Sequence, residues 1–176
     1  KLNGVNRINV SLDTINPEKY NKITRFGNIE KVFDGINESL DQGIKIKINT
    51  VIIKDFNEDE IEKLIYWTNS KKLDLTFIEV MPMEETDISR EYQFTSLTEI
   101  FESLNKIYNF KKSNQKTGGP ARYYVSENLS TKIGFISPLT NNFCASCNRV
   151  RISSTGKLFM CLGQNDYIDF RDIMRN

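Results

Sequence analysis

The stretch VNRINVSLD, residues 5–13, sets Ile8, Val10 and Leu12 against Arg7, Asn9 and Ser11. An apolar–polar alternation of period two reads as a β-strand, and the segments after it decide how that strand is used. DTINPEK (13–19) turns, with Pro17 suited to a first helical position, and EKVFDGINESLDQG (30–43) reads as a helix closed near Gly43. Val32, Phe33, Ile36 and Leu40 share one face of it. IKIKINTVII (44–53) is the next strand and NEDEIEKLIYWTNSKK (57–72) another amphipathic helix. LDLTFIEVMPM (73–83) is a third strand, ending in a Pro-containing loop. Strands alternating with helices of this length imply right-handed crossovers and a parallel sheet.

The pattern changes near residue 95. TSLTEIFESLNKIY (95–108) is helical, with Ser96 and Glu99 placed as a capping box. TGGPARYYV, KIGFISP, NRVRISS and KLFMCL then read as short strands broken by Gly, Pro and Asn. They suggest an antiparallel appendage, with Thr155 and Gly156 turning its last hairpin. The expected organisation is therefore βα units over 1–95 and a C-terminal subdomain over 96–176. No internal repeat and no low-complexity segment is visible.

Composition bounds the function classes. The chain has 176 residues, 39% hydrophobic and 27% charged, enough to bury a core. Lys and Arg total 24 against 23 Asp and Glu, a net charge of +1 that gives no global field for nucleic acid or an anionic membrane. Any anion site must be local. The apolar runs fall well short of the roughly 18 residues of a membrane span, and no signal peptide is visible. The expectation is a cytoplasmic protein without nucleic-acid or membrane partners. The chain opens without Met and almost directly in a strand, which reads as a cut through a larger protein.

FCASCNRVRIS (143–153) holds two of the three cysteines, in a chain with no histidine. A C-x-x-C pair lets two thiolates from one tight turn reach the same metal, and Cys161 sits near the end of the hairpin strand that returns towards that turn. A zinc site normally wants a fourth Cys or His, and none is left. Three thiolates can hold a [4Fe–4S] cube whose fourth iron stays open to a small molecule. The plainer reading makes Cys161 a buried small hydrophobe and C-x-x-C a redox pair. Arg149 and Arg151, two apart in a strand, share a face beside Cys147, where a pair of guanidinium forks would suit phosphates. Their plainer reading is a solvated face paired with carboxylates.

NRINVSLDTINPEKYNKITR, KIKINTVIIKDFNEDEI, TFIEVMPM, GGPARYY and IGFISPLTNNFCASCNRVRISSTGKLFMCL together resemble the molybdenum cofactor biosynthesis protein A family, the radical SAM GTP 3′,8-cyclases. The resemblance covers nearly the whole chain, and the last motif is highly specific. It implies the C-terminal half of a partial (β/α) TIM-type barrel with an appended antiparallel β subdomain carrying an iron–sulfur site. Cys144, Cys147 and Cys161 would hold an auxiliary [4Fe–4S] cluster whose open iron contacts the guanine of GTP. Arg149, Arg151 and Lys47 would contact GTP, and Ser11 and Met81 S-adenosylmethionine. The spacing agrees for Lys47, whose alternation in KIKIN sets its ammonium opposite Ile46 and Ile48, inside the barrel. For Met81, packing at a strand end is the plainer role.

The implied reaction of the intact enzyme is radical-initiated conversion of GTP to 3′,8-cyclo-7,8-dihydro-GTP, a lyase step opening molybdenum cofactor biosynthesis. Cyclic pyranopterin synthase would act downstream, and a homodimer is compatible with the resemblance. No catalytic side chain is singled out. The C-x-x-x-C-x-x-C motif that holds the SAM-cleaving second [4Fe–4S] cluster is absent, so the chain alone is expected to be inactive. Where many members carry Arg before FIE, Thr76 stands here. Two alternatives stay open: a structural zinc-binding module, and another radical SAM family with an auxiliary cluster.

Overall fold

The computed structural model describes residues 4–81, 93–114, 119–141, 143–147, 149–161 and 166–175. The opening alternation forms strand β1 (Arg7–Ser11), in which Ile8 and Val10 are the more buried positions. Pro17 begins helix α1 (Pro17–Thr24), where the Asn16 side chain accepts from the N–H groups of Glu18 and Lys19. A second cap, Asn28 accepting from Glu30 N–H, starts helix α2 (Ile29–Asp41). Gly43 ends this segment with φ +66°, a conformation open to glycine without a Cβ penalty.

The chain continues through β2 (Lys45–Ile52), α3 (Ile61–Ser70), β3 (Asp74–Glu79) and α4 (Leu97–Tyr108). At α4 the Ser96 hydroxyl accepts from Glu99 N–H at 3.4 Å, the Ser96 half of the capping box. Four short strands come next, β4 (Lys111–Lys112), β5 (Arg122–Val125), β6 (Ile133–Ile136) and β7 (Arg151–Ile152). The last elements are β8 (Lys157–Phe159), β9 (Tyr167–Asp169) and α5 (Phe170–Arg175).

Six strands form one mixed sheet in the order β1-β2-β3-β6-β5-β4. The pairs β1–β2, β2–β3 and β3–β6 are parallel, and β6–β5 and β5–β4 antiparallel. A separate antiparallel sheet has the order β7-β8-β9. The expected appendage is therefore smaller than the sequence suggests, because TGGPARYYV and KIGFISP supply β5 and β6 of the main sheet. The reason is burial. Ile133 and Phe135 of β6 are core residues in register with Leu75 and Phe77 of β3 and extend the same apolar layer by one strand.

That layer decides which sheet face the helices cover. Ile46, Ile48 and Ile52 of β2 join Leu75, Phe77, Ile133 and Phe135 in one core with Ile36 of α2, Leu64 and Ile65 of α3 and Leu104 of α4. Alternation then sends the intervening residues to the opposite, helix-free face.

Candidate functional site

On the helix-free face the register lines up Ser11, Asn49, Thr76, Gly134 and Tyr123 as one row across β1, β2, β3, β6 and β5. Lys47 lies on the same face, in the neighbouring row opposite Asn9. Its ammonium donates to the Tyr123 hydroxyl at 3.2 Å and lies 5.9 Å from the centroid of that ring. Lys47 and Tyr123 belong to strands separated by β3 and β6, so their contact spans the intervening Thr76 and Gly134. Gly134 makes this close approach available. A Cβ there would sit 2.8 Å from Thr76 Oγ1 and 3.0 Å from the Tyr123 ring. Asn49 Oδ1 and Thr76 Oγ1 are buried without a hydrogen-bond partner among the described residues, a state that costs about 1–3 kcal/mol per group.

The C-terminal ends of the parallel strands carry a second set of polar groups. Asn57, fully buried, donates through Nδ2 to the carbonyls of Asp13 at 2.6 Å and Val51 at 2.8 Å. Its Oδ1 accepts from Ile53 N–H at 2.8 Å. Glu60, 3% exposed, accepts from the Thr14 hydroxyl at 2.5 Å and pairs with Lys19 at 3.0 Å. Lys19 also meets Asp59 at 2.7 Å, and its hydrogen bond lowers the Asp59 pKa. These contacts fix the ends of β1 and β2 next to Ser11 and Asn49.

Asp13 accepts from Val51 N–H at 2.8 Å, yet burial outweighs that bond and raises its pKa above the ordinary carboxylate value. The folded chain thus binds this proton more tightly than the unfolded chain. Its contribution to stability is present below the unfolded pKa, about 3.9, and is lost as pH rises through the raised folded value. Asp13→Asn keeps an acceptor for Val51 and removes that loss. Urea midpoints measured across a pH series should shift in favour of the variant as pH rises through this window and then level off. A difference independent of pH would contradict the assignment.

Cys144 opens a 3₁₀ turn, Cys144–Ser146, and Cys147 caps it, its N–H donating to Cys144 C=O at 3.2 Å. Both are exposed, and no disulfide joins any of the three cysteines. β7 pairs with β8 through Arg151↔Phe159, so Cys161 emerges at the end of the hairpin where Cys147 and Arg149 enter it. Gly156, at φ +82°, turns this hairpin as expected. Arg149 and Arg151 are exposed, and among the described residues neither pairs with a carboxylate. No group of three or more Cys, Asp or Glu close enough to hold a metal is formed among the described residues.

The structure thus puts Ser11 and Lys47 on one sheet face, with half-buried Met81 two residues past the end of β3. The cysteines and arginines fall in and beside the small sheet. Asn49, Tyr123, Asn57 and Glu79 escaped the sequence reading, although each lies within one of the motifs that carry the family resemblance. Among the described residues no helix is long and apolar enough to cross a membrane.

Comparison with known proteins places this architecture. Residues 1–67 match the Radical SAM superfamily model, and residues 73–176 match Molybdenum Cofactor Synthesis C. The chain belongs to the Molybdenum Cofactor Synthesis C family. It is 48% identical over 172 residues to a protein of Sinorhizobium medicae (strain WSM419) named GTP 3',8-cyclase, covering 98% of this chain and 49% of that one. A protein of the same name from Brucella ovis (strain ATCC 25840 / 63/290 / NCTC 10512) is 48% identical, with 98% and 50% covered. One from Rhizobium etli (strain CIAT 652) is 49% identical, with 98% and 49% covered. The chain spans about half the length of the curated relatives it matches, at 49% to 50%.

Proposed function

We propose that this chain is the substrate end of a radical SAM GTP 3′,8-cyclase, acting in the first step of molybdenum cofactor biosynthesis. The observation that carries the reading is the polar row on the helix-free face. Ser11, Lys47, Asn49 and Thr76 share the sheet face opposite the apolar core, and among the described residues Asn49 Oδ1 and Thr76 Oγ1 have no hydrogen-bond partner. In this reading the six-stranded sheet with its helices, which takes in β4, β5 and β6, is part of a partial (β/α) barrel, and the segment from Cys144 through the β7-β8-β9 sheet carries the substrate subdomain.

The donor set suits an auxiliary [4Fe–4S] cluster. Cys144 and Cys147 share one exposed turn, the hairpin returns Cys161 to the same end, and the chain has no histidine to favour zinc. Cys144, Cys147 and Cys161 would hold such a cluster, which would supply an open iron for a purine to bind. Arg149 and Arg151 hold the triphosphate through forked, charge-assisted hydrogen bonds. Lys47, oriented by the Tyr123 hydroxyl, offsets negative charge on the sheet face. Ser11 and Met81 contact S-adenosylmethionine, and the cluster that cleaves it belongs to the other half of the enzyme. The setting is cytoplasmic, and the product passes to a cyclic pyranopterin synthase.

Anaerobic iron and sulfide analysis combined with a GTP titration tests the reading. Arg149→Ala in the full-length protein is expected to weaken GTP binding by about 1.5–3 kcal/mol while iron content stays unchanged. The same is expected of Arg151→Ala, and affinities equal to wild type in both variants would return both arginines to a solvated strand face.

A further inference from the structure

Glu79 is the last residue of β3 and is 1% exposed, yet it makes no ion pair with any described residue. Its carboxylate instead collects four donors from two separate segments. Oε2 accepts from Leu139 N–H at 3.0 Å and Thr140 N–H at 3.2 Å. Oε1 accepts from the Thr140 hydroxyl and from Leu97 N–H, the first residue of α4, at 3.2 Å. The Thr98 hydroxyl donates to Thr140 Oγ1 at 3.2 Å and ties α4 to the same turn. That turn is closed by Asn141 N–H to Ser137 C=O at 3.1 Å, and Cys144 comes three residues after Asn141 in the chain.

We propose that Glu79 is a positioning residue. It anchors the Ser137–Asn141 turn to the end of β3, and through it sets where the Cys144–Cys147 turn stands relative to Met81, two residues beyond Glu79. A buried carboxylate is costly unless hydrogen-bonded, and four converging donors make its charge, not merely its shape, the matching partner. Glutamine cannot replace it. One end of its amide would turn N–H groups towards either the Leu97 N–H or the Leu139 and Thr140 N–H groups, so at least one backbone donor would lose its acceptor. The proposal rests on the GTP cyclase reading only in its consequence for GTP.

The test uses the full-length protein and its Glu79→Gln variant, with Thr140→Val as a milder second variant that leaves the buried carboxylate intact. Amide hydrogen exchange without added GTP reads the anchor itself. Protection at Leu139 and Thr140 should fall about tenfold or more in Glu79→Gln, with a parallel loss at residues 143–147 that includes the Cys147 amide, while the far-UV spectrum is unchanged. Thr140→Val should give the same pattern more weakly. The GTP dissociation constant should rise about tenfold at equal iron content. Exchange that increases at 139 and 140 but not at 143–147, in both variants, would overturn the proposal. Loosened exchange at 143–147 in a protein whose wild type binds no GTP would support the anchor and overturn the GTP reading instead.

Discussion

Cys147→Ser in the full-length protein is expected to abolish iron binding at the substrate end and, with it, the tight binding of GTP. Ligand number and ligand chemistry both lead there. The chain has three cysteines and no histidine, so a three-thiolate site has no spare soft ligand to recruit. A serine hydroxyl stays protonated near neutral pH, whereas a cysteine thiol, with an ordinary pKa near 8.5, is readily ionised by a metal. Cys144 would keep its place in the 3₁₀ turn but lose the second sulfur that the turn presents. The same loss is expected for Cys144→Ser and Cys161→Ser, because each removes one of three ligands. Both exposed thiols lie outside the core, so folding should be unaffected. Iron, acid-labile sulfide and visible absorption after anaerobic reconstitution check the prediction. Iron content equal to wild type in Cys147→Ser would remove the cysteine assignment, and stoichiometric zinc in a colourless wild type would favour the structural metal module.

The strands and the two longer helices of the βα half were legible because each carries its own period, whereas α1, which buries no residue, was read only as a turn with Pro17 at a helix start. Ile8 and Val10 alternate in β1, and Ile46, Ile48 and Ile52 in β2, and those same residues pack against or form the core. Strands β5 and β6 carried no such signal. They are four residues long, and β6 takes its place in the sheet from β3, more than fifty residues earlier in the chain, with β5 paired in turn to β6. Gly134 looked like a strand breaker, whereas its lack of a Cβ is what lets the Tyr123 ring lie against it and reach Lys47. The cysteine turn was legible because ligand spacing is local. Glu79 and Glu60 were not, since nothing in FIE or NEDE tells which carboxylate will be buried among donors and which will face water. Within one acidic run, Asp59 is exposed at its side chain, 66%, while Glu60 is sealed against Thr14.

Asn57 belongs to that same run, and Asn57→Ala should destabilise the protein by about 2–4 kcal/mol, since it leaves three partly buried backbone groups without their partner at roughly 1–3 kcal/mol each, less what an entering water recovers. Those groups are the carbonyls of Asp13 and Val51 and the N–H of Ile53. The side chain is a cross-link between the ends of β1 and β2, so the loss should be felt beside Ser11 and Asn49 and not only in global stability. Asn57→Asp separates shape from hydrogen-bonding sense. It keeps the outline and the acceptor for Ile53, but points an oxygen at two carbonyls that require a donor. At neutral pH it should therefore be at least as destabilising as alanine, because the misplaced oxygen also carries buried charge. On acidification the carboxyl protonates and regains one donor, so Asp should recover relative to Ala as pH falls. Urea unfolding of the three proteins at neutral and acidic pH reads both effects. A loss under about 1 kcal/mol in Asn57→Ala would mean that water satisfies these carbonyls as well as the amide does, and that the ends of β1 and β2 are held by the sheet alone.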